Sequence, residues 1–350
     1  MAGPMSAKEP STHECGAELC LSVYVVTFVL GFPANALAFY TFCGKVRHKA
    51  TPIDILLLNL TVSDLLFLLF LPFKMREAMT DMMWEMPYEL CPLSGFIFYM
   101  TIYSSTFFLT AVSVERYLGV AFPIRHSLKR RPVYAVAASV FFWIFSISHL
   151  SIVFIMPFIG TPEEPVNATA AANVSAPARR GSPEEVCYDD FSEAQLKVLL
   201  PVRLELCVVL FCIPFLICSF CYINFIRILS RLQHIDRRRR LRAIGMALGT
   251  LLVFAGCFGP YNASHVVGFL TWRNPDWRDK ALLCSTFNAC LDPLIFYFSS
   301  SAVRGTVAQV MKGARDRLSG CPSGRCPRRV PERGGGDDKE CKRERNNAAT

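Results

Sequence analysis

This chain contains long stretches with no charged residue. Only 19% of its 350 residues are charged, whereas 52% are hydrophobic, and residues 19–43 carry no charge at all. An apolar helix of about 20 residues crosses a hydrocarbon core about 30 Å thick. The composition is too apolar for a soluble domain of this length, so the uncharged runs predict membrane spans.

Six further runs have the same character. Three lack Asp, Glu, Lys and Arg, two carry a single aspartate, and one carries only a histidine as an ionisable group. The predicted spans are residues 19–43, 55–73, 91–114, 132–162, 206–226, 243–272 and 281–303. These runs leave no room for a second globular domain. We therefore predict an all-α integral membrane protein, a bundle of seven transmembrane helices over residues 19–301.

Other features are missing as well, and each absence disfavours a class of function. Many transporters are built from internal repeats, and the seven runs show none. Their charged clusters lie at the two ends of the spans with no continuous polar path between them, which disfavours a channel. No nucleophile stands out beside a base, so we do not expect an enzyme, and no catalytic residue is predicted.

The basic residues concentrate in loops that the span count places on one side. Lysines and arginines cluster in residues 45–49, 125–131 and 227–242, whereas residues 163–193 hold seven acids against two arginines. By the positive-inside rule the basic loops face the cytosol, which places the amino terminus outside a plasma membrane. The net charge of +9 therefore predicts contact with the lipid bilayer rather than with nucleic acid. We expect no cleavable signal peptide, since the first apolar run is too long for one.

The segments outside the bundle are short or polar. Residues 1–18 form a polar extracellular tail, and two sequons at Asn167 and Asn173 make the acidic outer loop a candidate for glycosylation. Residues 302–318 place valines on one helical side and basic residues on the other, which predicts a short amphipathic eighth helix on the membrane surface. Residues 319–350 have no apolar period and are interpreted as a disordered cytoplasmic tail.

Two carboxylates fall within predicted spans, where a charge is costly unless it is paired or faces water. Asp64 and Asp292 lie near the middle of spans two and seven, with Ser105 and Asn288 available on neighbouring helices. Such a set could share a sodium ion or a proton. A hydrogen-bonded packing network without an ion is an equal alternative. We expect no other cofactor and no metal site.

A second polar group lies at the outer ends of three spans. Counted from Pro214, Pro260 and Pro293 at 1.5 Å per residue, three basic side chains reach the extracellular third of their helices. These side chains are Arg203, His265 and Arg278, with Tyr99 and Tyr261 as aromatic walls. Two guanidiniums beside an imidazole repel one another unless an anion joins them, and the planar fork of arginine matches a carboxylate.

A structural interpretation of the same group stays open. The guanidiniums could snorkel to lipid head groups, or pair with Glu205 and Asp189 as ion pairs. Another anion is also possible, such as a hydroxy acid, a dicarboxylate or a nucleotide. The volume of the cavity above Tyr261 separates these alternatives, because a nucleotide needs several hundred Å³ (roughly 300 to 1,000 Å³ for typical ligand pockets).

At this point the sequence resembles a known family. The motif residues are Asn35, Asp64, Glu115-Arg116-Tyr117, Trp143, Pro214, Tyr222 and Cys257-Phe258-Gly259-Pro260. They are similar to those of the rhodopsin-like G-protein-coupled receptors. Residues 117–123, 200–205 and 258–265 resemble the short-chain free fatty acid receptors, and the likeness runs from about residue 21 to residue 301.

The resemblance implies a ligand and partners. Arg203, His265 and Arg278 would grip a short-chain carboxylate such as acetate, propionate or butyrate, with Tyr99, Tyr261 and His149 nearby. Asp189 would be a counter-charge in the loop. Heterotrimeric G proteins of the inhibitory and Gq types and arrestin are the implied partners. Position and resemblance together imply a disulfide between Cys91 and Cys187, and whether Cys15 and Cys20 are paired stays open.

The resemblance also implies an activation switch. Its residues are Glu115, Arg116, Phe258, Pro260, Asp292 and Pro293. Two positions depart from the wider receptor pattern. Phe258 stands where most members carry tryptophan, and Phe296 stands where a tyrosine is usual, with Tyr297 following on a different helical face.

Overall fold

The computed structural model describes residues 16–124, 131–159, 187–188, 191–232 and 236–318. Seven helices in these ranges are long and apolar enough to cross a membrane, which confirms the seven-span prediction. They are α1 (Ala17–Lys49), α2 (Pro52–Met79), α3 (Leu90–Ala121), α4 (Pro132–Phe158), α5 (Glu193–Arg231), α6 (Arg237–Thr271) and α7 (Arg278–Ser299). An eighth helix, α8, spans Ser301–Leu318.

Helix starts follow local sequence signals. The Thr51 hydroxyl accepts the backbone N–H of Asp54 at 3.3 Å, with a proline at the first position of α2. A capping box starts α5, in which the Ser192 hydroxyl accepts the Gln195 N–H and the Gln195 side chain accepts the Ser192 N–H. This box fixes the outer end of α5, where Arg203 lies.

Two spans contain a π-helical turn just before a proline. In α5 the turn covers Cys207–Cys212, followed by Pro214, and in α6 it covers Val253–Phe258, followed by Pro260. Proline has no backbone N–H, so the carbonyl four residues earlier loses its usual donor. The Thr106 hydroxyl of α3 supplies that donor to the Leu210 carbonyl at 2.8 Å. The wider turns therefore have a local cause in the sequence.

Helix α3 occupies the centre of the bundle, in contact with α2, α4 and α5. Its Phe108, Leu109 and Val112 are completely buried. In contrast, α1 and α4 expose many apolar side chains, including Val29 and Ile144. Such exposed apolar surface suits helices that border lipid.

The seventh span ends earlier than predicted. Ser300 is extended, with φ −117° and ψ 124°, and its break separates α7 from α8. Val303, which was expected in the seventh span, is therefore in α8. The Thr41 hydroxyl of α1 donates to the Thr306 hydroxyl at 3.2 Å, which holds the start of α8.

The predicted disulfide joins Cys91 at the start of α3 to Cys187, with the two Cα atoms 5.7 Å apart. Both cysteines are buried against Trp84, whose indole N–H donates to the Pro87 carbonyl at 3.2 Å. Cys20 is disulfide-bonded as well. The Cys91–Cys187 bridge holds Tyr188, the next residue, over the outer end of the bundle.

Candidate ligand-binding site

The structure brings the three predicted basic residues to one small cavity. Arg203 comes from α5, His265 from α6 and Arg278 from the first position of α7. Their relative exposures are 4%, 2% and 2%, so none of them reaches bulk solvent. The cavity that they line has a volume of about 20 Å³.

Arg278 is held by two phenols. Its Nη2 donates to the hydroxyl oxygens of Tyr99 and Tyr261, each at 3.2 Å. Its Nη1 lies 3.4 Å from Asp279, a partly exposed carboxylate, and its Nε has no hydrogen-bond partner in the described part of the chain. A cation at the first position of a helix also opposes the helix dipole. Arg278 is therefore placed where an additional negative charge would be stabilising.

Arg203 has fewer partners. Its Nη1 donates to the Asn274 side-chain oxygen at 2.9 Å, and its guanidinium lies 5.3 Å from the centre of the Phe191 ring. Its Nη2 is buried without a partner among the residues described. The Glu205 carboxylate lies instead 3.3 Å from Nε2 of His149. A structural ion pair between Arg203 and Glu205 is therefore not what the structure contains.

His265 completes the basic set and contacts a third phenol, that of Tyr103. Its Nε2 lies 3.2 Å from the Tyr103 hydroxyl, which also lies 3.4 Å from the Asn262 side-chain oxygen. The Tyr103 hydroxyl has a single proton. If that proton is donated to Asn262, His265 Nε2 donates to Tyr103, whereas in the tautomer protonated at Nδ1 the Nε2 atom accepts it and Nδ1 is the donor. That Nδ1 is buried and lacks a protein partner within the described residues.

The three orphaned nitrogens together define the chemistry of the site. Arg203 Nη2 and Arg278 Nε are buried donors without an acceptor, which costs free energy, and His265 Nδ1 is buried without a partner as well. Two guanidiniums share the cavity with one partly exposed acid nearby, so the local charge balance is positive. A bound anion with two oxygen atoms would satisfy both the donors and the charge.

Three residues of the site were not found from the sequence: Tyr188, Phe191 and Asn274. The Tyr188 ring is tilted relative to Tyr99, with 6.0 Å between ring centres, and lies edge-on to Phe191 at 5.0 Å. Burial raises the pKa of the Tyr188 phenol, so this ring is neutral and supplies no counter-charge. Tyr188 could have been found from the sequence because it directly follows Cys187, and the disulfide fixes the position of that residue. No local pattern marks Phe191 or Asn274.

Other predicted residues lie apart from the cavity or outside the described residues. His149 packs on Phe145, at 4.2 Å between ring centres, and does not line the cavity. Asp189, Asn167 and Asn173 lie outside the described residues.

A second small cavity adjoins the first on the side of α1 and α2. It has a volume of about 60 Å³ and shares Tyr99, Tyr188 and Arg278 with the first cavity. Lys74 is its additional cation, and the Lys74 Nζ is paired with the buried Glu77 carboxylate at 2.7 Å. Lys74 is thus neutralised by the protein itself.

The intramembrane carboxylates are fully buried. Asp64 is 1% exposed and Asp292 is 0% exposed, and all four carboxylate oxygens lack a hydrogen-bond partner in the described chain. Nearby on the helices α2 and α3, the hydroxyls of Ser63 and Ser105 lie 3.2 Å apart. Asn288, the remaining predicted member, is also buried. The described residues contain no group of three or more His, Cys, Asp or Glu that could hold a metal.

Two of the predicted switch residues, Phe258 and Pro260, lie in α6 where its π turn ends. Phe258 is completely buried at the end of the π turn of α6, and its carbonyl accepts the Asn262 side-chain N–H at 2.9 Å. Phe296 is buried and packs edge-on against Phe42 at 5.6 Å. Tyr297 is 41% exposed, so the neighbouring hydroxyl does not replace the missing one in the core.

The inner end of the bundle contains a large cavity of about 1120 Å³. Glu115 and Arg116 of α3, Arg239 and Arg242 of α6, and Arg304 of α8 are among its lining residues. The Arg116 guanidinium donates to the Ser299 carbonyl at 3.0 Å and to the Ser299 hydroxyl. Arg116 therefore bridges α3 to the inner end of α7 beside an open cavity.

Comparison with known proteins agrees with this architecture. Residues 34–296 match the profile of the 7 transmembrane receptor (rhodopsin family). The chain is 47% identical to free fatty acid receptor 3 of Mus musculus over 293 residues, which cover 84% of this chain and 86% of that protein. It is 46% identical to free fatty acid receptor 2 of Mus musculus over 295 residues, which cover 84% and 85%. It is 45% identical to free fatty acid receptor 2 of Homo sapiens over 308 residues, which cover 87% and 89%.

The fold, the sites and these similarities define a class of protein. The chain belongs to the rhodopsin family of seven-transmembrane receptors. It is therefore a multi-pass plasma membrane receptor that binds a small molecule and acts on G proteins, and it is not an enzyme.

Proposed function

We propose that this receptor responds to short-chain fatty acids such as acetate, propionate and butyrate. One observation carries the proposal: Arg203, His265 and Arg278 surround a single cavity, and each has a buried nitrogen without a hydrogen-bond partner among the described residues. A carboxylate supplies two acceptor oxygens and one negative charge, which matches this deficit. The relatives named free fatty acid receptors support the same ligand class.

The size of the cavity supports a short acyl chain. A space of about 20 Å³ is close to the roughly 10 to 15 Å³ that a single water needs, so the ligand must be small and must displace side chains modestly. A ceiling near 1.5 kcal/mol per heavy atom limits a four-atom acid to about 6 kcal/mol, or a dissociation constant of tens of micromolar or weaker. Such a receptor suits a ligand that is abundant.

The other anions fit less well. A nucleotide needs a pocket of roughly 300 Å³ or more, far above the observed volume. A dicarboxylate needs a further free cation, and Lys74 in the adjoining cavity is already paired with Glu77. A monocarboxylate is therefore the favoured ligand class.

Activation follows as a shift between two arrangements of the bundle. The bound carboxylate attracts the guanidiniums of α5 and α7 and the imidazole of α6, and thus favours states in which the outer ends of these helices are close. At the inner end, Arg116 lines the cavity of about 1120 Å³ that would accept a G-protein segment. We propose inhibitory and Gq-type G proteins and arrestin as partners, with the amino terminus extracellular.

We further propose that Asp64 and Asp292 hold a sodium ion. Their four buried oxygens without hydrogen-bond partners are the acceptors that a hard cation prefers, and the buried Ser105 and Asn288 are the further ligands that we propose. When bound, the ion would supply the positive charge that two adjacent carboxylates need to stay ionised. The two aspartates join α2 to α7, so binding there would couple these helices.

The experiment is a dose-response series from formate to hexanoate, read by cAMP and calcium in matched-expression cells. We expect a maximum among the two- to four-carbon acids and no response to a nucleotide. Arg273, an exposed arginine that precedes α7, provides a matched control for Arg278. A response that survives Arg278→Ala, or that is lost equally in Arg273→Ala, would refute the site.

A further inference from the structure

Two free thiols meet inside the π turn of α5. The Cys207 and Cys212 sulfurs are 3.9 Å apart, and both cysteines are free. Cys207 is 2% exposed, whereas Cys212 is partly exposed between the lipid-facing Val208 and Ile213. The sulfurs therefore lie close to the distance at which a bond can form after small side-chain rotations, and one of them is reachable from the bilayer.

This proximity depends on the π turn. In a regular α-helix, residues five apart point about 140° away from each other around the axis. In the π turn the hydrogen bonds join residues five apart, as in the donation from the Ile213 N–H to the Val208 carbonyl. Cys207 and Cys212 then lie one above the other. A regular helix over the same residues would separate the two sulfurs.

The turn is also joined to the carboxylate site. The Cys207 N–H donates to the backbone carbonyls of Arg203 and Leu204, so the turn begins directly below Arg203. Its inner end is held by Thr106 and Thr110 of α3, which donate to the Leu210 and Pro214 carbonyls. A change in the pitch of this turn would rotate Arg203 relative to α3.

We propose that Cys207 and Cys212 are a modification site, a dithiol that a hydroperoxide oxidises to an intrahelical disulfide and that thereby locks the π turn. In the reaction two S–H bonds and the peroxide O–O bond break, and one S–S bond forms. Two electrons pass from the sulfurs to the peroxide oxygens, which take up the two protons and leave as water. Hydrogen peroxide is small and neutral, so it reaches a thiol at the lipid face.

The oxidised form can exist only with the π turn in place, so the disulfide removes states in which α5 is regular. The described conformation, which has the turn, also has Arg203 facing the cavity it shares with Arg278. Oxidation therefore favours the ligand-competent arrangement. The half-maximal concentration of propionate falls several-fold. This functional half of the proposal rests on the proposed ligand, whereas the chemical half does not.

The test uses the full-length receptor in cell membranes treated with hydrogen peroxide. Mass spectrometry of the peptide that contains both cysteines reports the loss of two hydrogens, and a propionate curve is recorded on the same preparation. Cys207→Ser and Cys212→Ser are compared with Cys218→Ser, which removes another buried free thiol of α5.

In the wild type and in Cys218→Ser, we expect the loss of two hydrogens and the lower half-maximal propionate concentration, and dithiothreitol reverses both effects. Cys207→Ser and Cys212→Ser show neither effect. Thiols that stay reduced in the wild type overturn the proposal whether or not propionate is the ligand. A disulfide that forms without changing the half-maximal propionate concentration overturns the proposed coupling between the π turn and the ligand site. If the receptor does not respond to propionate, the mass change still tests whether the disulfide forms, and only the proposed ligand is refuted.

Discussion

Tyr99 of α3 and Tyr261 of α6 lie with their rings nearly parallel, 6.0 Å between centres and 6° between planes. Both hydroxyls accept a hydrogen bond from Nη2 of Arg278. The pair holds a buried guanidinium through two hydroxyl oxygens, each of which accepts a hydrogen bond from it. The consequence is a pre-positioned cation whose carboxylate neighbour at 3.4 Å, Asp279, is partly exposed to solvent. Preorganisation of this kind is what a ligand of few atoms needs in order to bind at all.

Removal of either guanidinium is expected to abolish the response to propionate. Truncating one partner of a buried charge pair costs about 2 to 5 kcal/mol, so Arg203→Ala and Arg278→Ala shift the dose-response curve beyond the usable range. Lysine at either position rescues poorly because it lacks the planar fork. Surface expression, measured by antibody staining of unpermeabilised cells, stays normal. For Arg203 the matched control is Lys197→Ala, an exposed cation on the same helix. A normal curve in either alanine variant would place the ligand elsewhere.

The Tyr103 hydroxyl is expected to tune the histidine. Tyr103→Phe removes the contacts to His265 and Asn262 at 3.2 and 3.4 Å and keeps the ring in the core. A hydrogen bond contributes about 0.5 to 1.5 kcal/mol, so the half-maximal propionate concentration rises roughly two- to tenfold. Tyr222→Phe serves as the control, since that buried hydroxyl contacts Thr250 and neither residue lines the cavity. Equal potency of Tyr103→Phe and the wild type would show that His265 needs no such partner.

Loss of the outer disulfide is expected to lower both folding yield and ligand response. Cys91→Ser or Cys187→Ser removes a bridge that typically contributes about 2 to 4 kcal/mol and releases Tyr188 from its place beside Tyr99. Yield is measured by detergent extraction and size-exclusion chromatography, and response by cAMP. Cys43→Ser, which removes a free thiol, provides the comparison. Full yield together with full potency in a Cys91→Ser receptor is the contradicting result.

The inner end of α3 is expected to restrain signalling. Glu115→Gln weakens the ionic environment of Arg116 and raises agonist-free G-protein activation several-fold, for a shift of about 1 to 3 kcal/mol between states. Arg116→Ala leaves propionate binding largely intact while signalling falls, because Arg116 lies beside the inner cavity and Ser299. Asp236→Asn, an exposed acid of the same cavity, is the control. Equal basal activity of Glu115→Gln and the parent, at matched expression, would exclude this restraint.

Sodium is expected to stabilise the receptor through the buried aspartates. Replacing N-methylglucamine chloride by sodium chloride at constant ionic strength raises the thermal unfolding midpoint of the purified wild type, because a ligand that binds only the folded state stabilises it. Asp64→Asn and Asp292→Asn lose that increase. A sodium effect of the same size in Asp64→Asn would point to a proton or a packing network between the two carboxylates.

Some features of this protein follow from the sequence alone. Seven apolar runs determine seven spans because hydrocarbon leaves a helix no alternative for its backbone hydrogen bonds. The offsets of Arg203, His265 and Arg278 from the prolines of their helices place all three in the extracellular third of the bundle. A one-dimensional count measures depth well because the rise of a helix per residue is constant.

The tertiary structure decided what the sequence left open. Depth does not give the rotation of a helix about its axis, so only the packing showed that His149 meets Glu205 while Arg203 faces Arg278. Asn274 and Phe191 reach Arg203 from segments outside the helices, whose path no periodic pattern predicts. The contact between Cys207 and Cys212 likewise requires the extra residue in the π turn, because helical geometry otherwise turns these two side chains apart.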